Sequence, residues 1–327
     1  MDSITILDGG MGKELRRIGA PFRQPEWSAL ALLESPDFVA DAHRNFIKAG
    51  AEMIITNTYS VVPYHIGEHR FRARGTELVE LAAKIARATA DEGDRHVQVA
   101  GSLPPLFGSY EPAAFDPGAA PPLWRALIEP QIPFVDLWIG ETLSSLDECR
   151  VLLETLANVQ AEDARAAKPF WAAFTLLDRL REGRAVLRSG EPVSAIAELV
   201  VSPIEAVLFN CSQPEVIGPA LTELAGRLPA TPLGAYANAF PVAQVDQADY
   251  AANEIVVERR QDLTTDRYLE FATEWVAAGA TIVGGCCDIY PEHIEALAAH
   301  LGTRANRFRG EDAQGAEPDS FSESDSG

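Results

Sequence analysis

Eight short apolar, β-branched runs recur along the chain, and this repetition constrains the fold more than any other feature of the sequence. They occupy residues 4–7, 53–56, 97–100, 136–139, 170–174, 206–209, 232–236 and 281–283. Between and after them lie amphipathic segments with helical spacing, at 36–49, 76–91, 146–159, 193–200, 216–228, 266–278 and 291–301. Alternation of this kind predicts parallel, right-handed βαβ units, and eight strands predict an α/β protein closed into a (β/α)8 TIM barrel in preference to an open doubly wound sheet. The 327 residues suit one barrel, over 1–308, with a tail at 309–327. That tail is rich in Ser, Asp, Glu and Gly with almost nothing apolar, so it reads as a disordered acidic segment. The long polar insertion at 240–264, after the seventh strand, reads as a lid or binding loop.

Charge and composition exclude several classes of function. A formal net charge of −21 repels phosphate backbones and no Lys/Arg-rich run offsets it locally, so nucleic acid is excluded as a partner. No apolar stretch approaches the roughly 20 residues that cross a bilayer, and the N-terminus enters the first strand without a charged leader. No membrane association and a cytoplasmic location are the expectation. Only 4 Cys occur, two of them adjacent, which makes a poor disulfide framework; in a reducing compartment such cysteines point to metal binding or catalysis.

In a barrel of this type the active site gathers at the C-terminal ends of the strands. The polar residues that end an apolar run are Asp8-Gly9-Gly10, Thr56-Asn57-Thr58, Glu141-Thr142, Asn210-Cys211-Ser212 and Gly284-Gly285-Cys286-Cys287. Cys211 ends the sixth strand and Cys286-Cys287 end the eighth, so closure brings three sulfurs to one rim. Zinc accepts thiolates tetrahedrally, and three protein ligands with one open position make a catalytic rather than a structural site. Free cysteines also serve as small buried hydrophobes. The shared strand-end position outweighs that reading for these three, whereas Cys149, inside the helical pattern at 146–159, reads as core. Tyr59, Trp138, Tyr236 and Phe240 stand near strand ends and could face a cation through their rings, although packing is the commoner use of aromatics; Trp27 is equally open to both. The six histidines form no ligand-spaced set.

These motifs resemble the homocysteine S-methyltransferases, zinc enzymes that include betaine-dependent and S-methylmethionine-dependent types. The likeness runs nearly end to end: Leu7-Asp8-Gly9-Gly10-Met11-Gly12, Ile55-Thr56-Asn57-Thr58-Tyr59, Gly101-Ser102-Leu103-Pro104-Pro105, Glu141-Thr142-Leu143, Phe209-Asn210-Cys211 and Gly284-Gly285-Cys286-Cys287, with Pro291, His293 and Ile294 following. The resemblance implies a (β/α)8 barrel with zinc on the three cysteines. It also implies that Asp8 and Glu141 hold the amino group of homocysteine, with Gly9, Asn57 and Thr58 in the same substrate-binding set. After the double cysteine many S-methylmethionine-type members read Arg-Thr-Thr-Pro, whereas this chain reads Asp288-Ile289-Tyr290-Pro291. The donor therefore stays open among S-methylmethionine, S-adenosylmethionine and betaine.

The expected activity is zinc-dependent methylation of homocysteine to methionine by a methyl onium donor, with small molecules as the partners; a homo-oligomer is compatible with it. The alternatives are methylation of another thiol or selenol, such as selenocysteine, and a non-catalytic barrel carrying a structural zinc.

Overall fold

Side chains in a strand alternate between its two faces, and in this chain that alternation sorts one set into the barrel and the other against the helices. The computed structural model describes residues 3–200, 204–241 and 259–302. Its strands are β1 (Thr5–Ile6), β2 (Met53–Ile55), β3 (Gln98–Leu103), β4 (Leu137–Leu143), β5 (Phe170–Phe174), β6 (Ile204–Asn210), β7 (Leu233–Tyr236) and β8 (Ala280–Val283). They form one parallel sheet in the order β1-β8-β7-β6-β5-β4-β3-β2. A parallel bridge from Leu7 to Met53 and the Glu52 amide donating to the Ile6 carbonyl at 2.7 Å join the two ends, so the sheet closes into a (β/α)8 barrel.

Leu7, Met53, Ala100, Leu137, Ile139, Ala173, Ala206, Leu208, Tyr236 and Ile282 fill the interior as one cluster. Their neighbours Ile6, Ile54, Val99, Trp138, Val207, Phe209 and Val283 turn outward into a second, larger cluster shared with the helices. This period of two buries both faces of every strand, which is why the runs read as continuously apolar in the sequence.

The helices are α1 (Met11–Arg17), α2 (Ala29–Glu34), α3 (Asp37–Ala49), α4 (Pro63–Ile66), α5 (Glu68–Ala90), α6 (Ala120–Gln131), α7 (Leu146–Glu162), α8 (Pro214–Ala225), α9 (Thr265–Ala277) and α10 (Pro291–His300). Two expectations need correction. The helical pattern at 193–200 is a 3-10 turn, Val193–Glu198, whose buried Val193 and Ile196 stand three residues apart as that geometry requires. The segment expected at 76–91 begins a full two turns earlier, at Glu68, because the helix tolerates Gly75 packed against Phe71. α1, α2, α4 and α6 add to the segments named from the sequence; in α6, Pro121 and Pro122 sit where a first turn lacks N–H partners anyway.

Helix α7 matters for the site because it fixes the chain just beyond Glu141. Ser145 Oγ accepts from the Glu148 amide at 3.1 Å and the Glu148 carboxylate accepts from the Ser144 amide at 2.6 Å, a reciprocal cap. Cys149 is fully buried in the outer core on that helix, where burial pushes its thiol up. Among the described residues no helix is long and apolar enough to cross a membrane. The tail expected at 309–327 lies outside the described residues, as does 242–258 of the insertion expected at 240–264.

Candidate metal centre

Three strand ends converge at the C-terminal rim. Cys211 immediately follows β6, and its amide donates to the Tyr236 carbonyl of β7 at 3.1 Å. The turn after β8 is stitched to its neighbours on both sides. Gly284 and Cys286 donate to the carbonyls of Ala235 and Ala237 at 3.0 and 2.9 Å, Gly285 donates to the Asp8 carbonyl at 2.9 Å, and Ala239 donates to Cys287 at 2.9 Å. From α9, the buried Tyr268 hydroxyl donates to the Gly284 carbonyl at 2.7 Å. Glycine is needed here for space: a Cβ on Gly10 would lie 2.6 Å from the Cys286 carbonyl, and one on Gly284 would lie 2.5 Å from Leu7 Cβ.

The result is a cluster in which the sulfurs of Cys211, Cys286 and Cys287 all lie within 4.8 Å of one another, with Cys211 and Cys286 at 2.6 Å. Hydrogen bonds from Cys286, Cys287 and Tyr110 hold the Cys211 thiol well below its usual range. Cys286 and Cys287 are pushed up, in each case first by hydrogen bonding to Cys211 and further by burial. A thiophilic divalent cation held between the three sulfurs would favour the thiolate form of each of them. The donor set fits a soft or borderline metal ion, since thiolates select such ions over calcium or magnesium.

The sulfurs open onto a cleft also lined by Asp8, Gly9, Asn57 and Glu141. Burial pushes the Asp8 carboxyl well above its ordinary value; the Ile55 amide, donating at 2.9 Å, opposes this and the nearby Glu141 adds to it. Glu141 is pushed up to about 7, chiefly by burial, against the stabilising Ser102 hydroxyl at 2.5 Å. The Tyr236 hydroxyl also donates to Glu141, at 3.4 Å. Asn57 donates from Nδ2 to the Ser28 carbonyl at 3.1 Å, leaving its buried Oδ1 without a partner. Thr58 stands apart from this group. Its hydroxyl donates to the Ser102 carbonyl at 3.0 Å, so it braces β2 against β3 and does not line the cleft.

Of the aromatics, Trp27, Tyr59, Tyr236 and Phe240 line the cleft, whereas Trp138 points outward and donates to the Ala166 carbonyl at 3.0 Å. The Trp27 indole N–H is buried without a partner. Lys13 and Asp288 were invisible as a pair in the sequence; they meet at 3.0 Å with side chains 7% and 2% exposed, and Lys13 brings a cation to the cleft wall. His65 also lines the cleft, and burial lowers it to about 4, so it is neutral there. Trp27, Tyr110, Thr142, Cys211 and Asp288 all hold positive φ, between 47° and 67°, and they ring this site. Such backbone is costly for residues other than glycine and concentrates at functional sites.

A parallel (β/α)8 barrel with three cysteine sulfurs and two buried carboxylates at its C-terminal rim defines a barrel enzyme with a sulfur cluster that could hold a metal ion. A family model described as homocysteine S-methyltransferase matches residues 5–301, and the chain belongs to that family. Homocysteine S-methyltransferase of Escherichia coli is 29% identical over 90% of this chain and 94% of its own length. Selenocysteine methyltransferase of Astragalus bisulcatus is 25% identical, covering 90% and 91%. The metallated crystal structure of the homocysteine methyltransferase MmuM from Escherichia coli superposes with a TM-score of 0.69 at 27% identity, covering 91% of this chain and 96% of that one.

Proposed function

We propose that this protein transfers a methyl group from an onium donor, S-methylmethionine, S-adenosylmethionine or betaine, to the thiol of homocysteine, giving methionine, with zinc held by Cys211, Cys286 and Cys287. The observation that carries this reading is that the three sulfurs face the same cleft as a matched set of groups for an amino acid.

Asp8, Glu141 and the unpartnered Asn57 Oδ1 offer acceptors to an ammonium; the Trp27 N–H and the Lys13 cation offer donors to a carboxylate. An arriving ammonium returns both carboxyls toward their ionised forms, because an opposite charge a few ångströms away favours ionisation. Cys211, Cys286 and Cys287 would hold zinc, which would supply ionisation of the acceptor thiol; a free alkyl thiol of pKa near 8.5 is only about 3% ionised at pH 7, so the gain would be up to roughly 30-fold, or some 2 kcal/mol. The donor's carbon–sulfur or carbon–nitrogen bond breaks with its electron pair going to the leaving group, as the new sulfur–carbon bond forms in line. The apolar walls supplied by Tyr59, Tyr236 and Phe240 hold the cationic donor and keep water away while charge is cancelled. A structural zinc would close its fourth position with a protein ligand; three sulfurs facing a cleft support the catalytic reading.

Homocysteine methylation assayed with each of the three donors tests this. Absence of turnover with all of them defeats it. A selenol acceptor is the second reading, supported by the likeness to a selenocysteine methyltransferase; acceptor competition separates the two. Action on soluble small molecules fits a cytoplasmic location.

A further inference from the structure

The loop after β3 and the loop after β5 meet over the sulfur cluster in a way that metal binding alone does not require. Tyr110 donates its hydroxyl to Cys211 Sγ at 3.0 Å, from a residue whose φ is 67°. Its ring is covered by the Arg188 guanidinium, 4.7 Å from the ring centre. Arg188 is itself only 14% exposed, is paired to Asp178 at 2.5 Å, and its buried Nε has no partner. A guanidinium held there has one face to offer, and the Tyr110 ring occupies it.

We propose that Tyr110 is a positioning residue for the metal centre, held by Arg188, and that its hydroxyl directs the Cys211 thiolate and withdraws charge from it so that the metal keeps affinity for a fourth, substrate sulfur. The inference rests on the metal reading above. A hydrogen bond to a ligand sulfur lowers that sulfur's donor strength and fixes its lone-pair direction. A cation over a phenol ring draws density from the ring and makes the hydroxyl a better donor. Cys211 needs this help more than the other two sulfurs, because it comes from a different strand and sits at φ 47°.

The test uses the full chain loaded with cobalt(II), whose sulfur-to-metal charge-transfer band reports on the thiolates directly. In Tyr110→Phe the ring is kept and the hydroxyl removed; the unbonded thiolate is easier to oxidise, so the band moves to longer wavelength. Metal affinity, measured against a chelator, falls roughly 10–100-fold, because losing the fixed lone-pair direction of Cys211 outweighs the gain in its donor strength. Arg188→Met gives a smaller shift in the same direction, with Tyr110 present. A band and an affinity unchanged in Tyr110→Phe overturn the inference while leaving the metal reading intact. Failure of the unaltered protein to bind cobalt or zinc overturns both.

Discussion

Asn210 and Thr142 grip each other through two hydrogen bonds: the Thr142 amide donates to Asn210 Oδ1 at 2.8 Å, and Asn210 Nδ2 donates to Thr142 Oγ1 at 2.9 Å. Each is the immediate chain neighbour of a site residue, Asn210 of Cys211 and Thr142 of Glu141. The pair therefore ties the end that would read the amino group to the end that would hold the sulfur, across β4 and β6, and it holds Thr142 at a φ of 58° that a β-branched residue rarely adopts.

Asn210→Ala removes both bonds and leaves the buried Thr142 amide unsatisfied, at a cost of roughly 1–3 kcal/mol. Denaturant unfolding should show that loss. Acceptor KM should rise as well, because Glu141 and Cys211 no longer keep a fixed separation. Unchanged stability would show that the pair bears no load.

Removing the metal should abolish methyl transfer, and zinc should restore it. Cys286→Ser should reduce zinc to well below one per chain and cut turnover by at least about a thousandfold, since nucleophile activation and acceptor positioning are lost together. Metal analysis beside single-turnover assays checks this; full activity in Cys286→Ser would exclude the thiolate centre.

Glu141 sets a pH limb. Burial raises it to about 7, so in the free protein its carboxylate, the form that would bind an ammonium, is mostly populated only above that value. With saturating metal, kcat/KM for the acceptor should fall as pH drops through about 7, and Glu141→Gln should lack this inflection while showing a raised KM. Stability moves the other way. A carboxyl whose folded value is raised favours the folded state below its unfolded value near 4.5, and this contribution disappears as pH rises through about 7. Metal-free Glu141→Gln should therefore gain on the parent at pH 8 but not at pH 4, by at most on the order of 3 kcal/mol.

Gly10→Ala tests the seat of the double-cysteine turn. The added Cβ meets backbone, 2.6 Å from the Cys286 carbonyl and 3.1 Å from the Asp288 amide, so the turn itself must shift. Overpacking of this kind costs roughly 1–3 kcal/mol, and a tenfold or larger loss of metal affinity should accompany it. Isothermal titration with zinc measures the loss.

Much of this was legible in the chain because it depends on neighbours in sequence. The strands announce themselves as apolar β-branched runs, and the polar residue ending each run marks the rim, which is how Asp8, Glu141, Cys211, Cys286 and Cys287 can be collected without coordinates. Helix α6 was hidden because Pro121, Pro122 and Pro130 mimic a loop. Thr58 shows the limit of the rule: two residues from the same strand end, Asn57 faces the cleft and Thr58 faces a neighbouring strand.

By itself the sequence determined the barrel, the rim and the three cysteines gathered there, because periodicity, strand-end position and residue chemistry are local properties. Only the tertiary structure decided which groups meet: Lys13 with Asp288, Tyr110 with Cys211 and Arg188, Asn210 with Thr142. These contacts span tens to hundreds of residues and are set by barrel closure, which brings loop ends together according to strand order rather than separation along the chain.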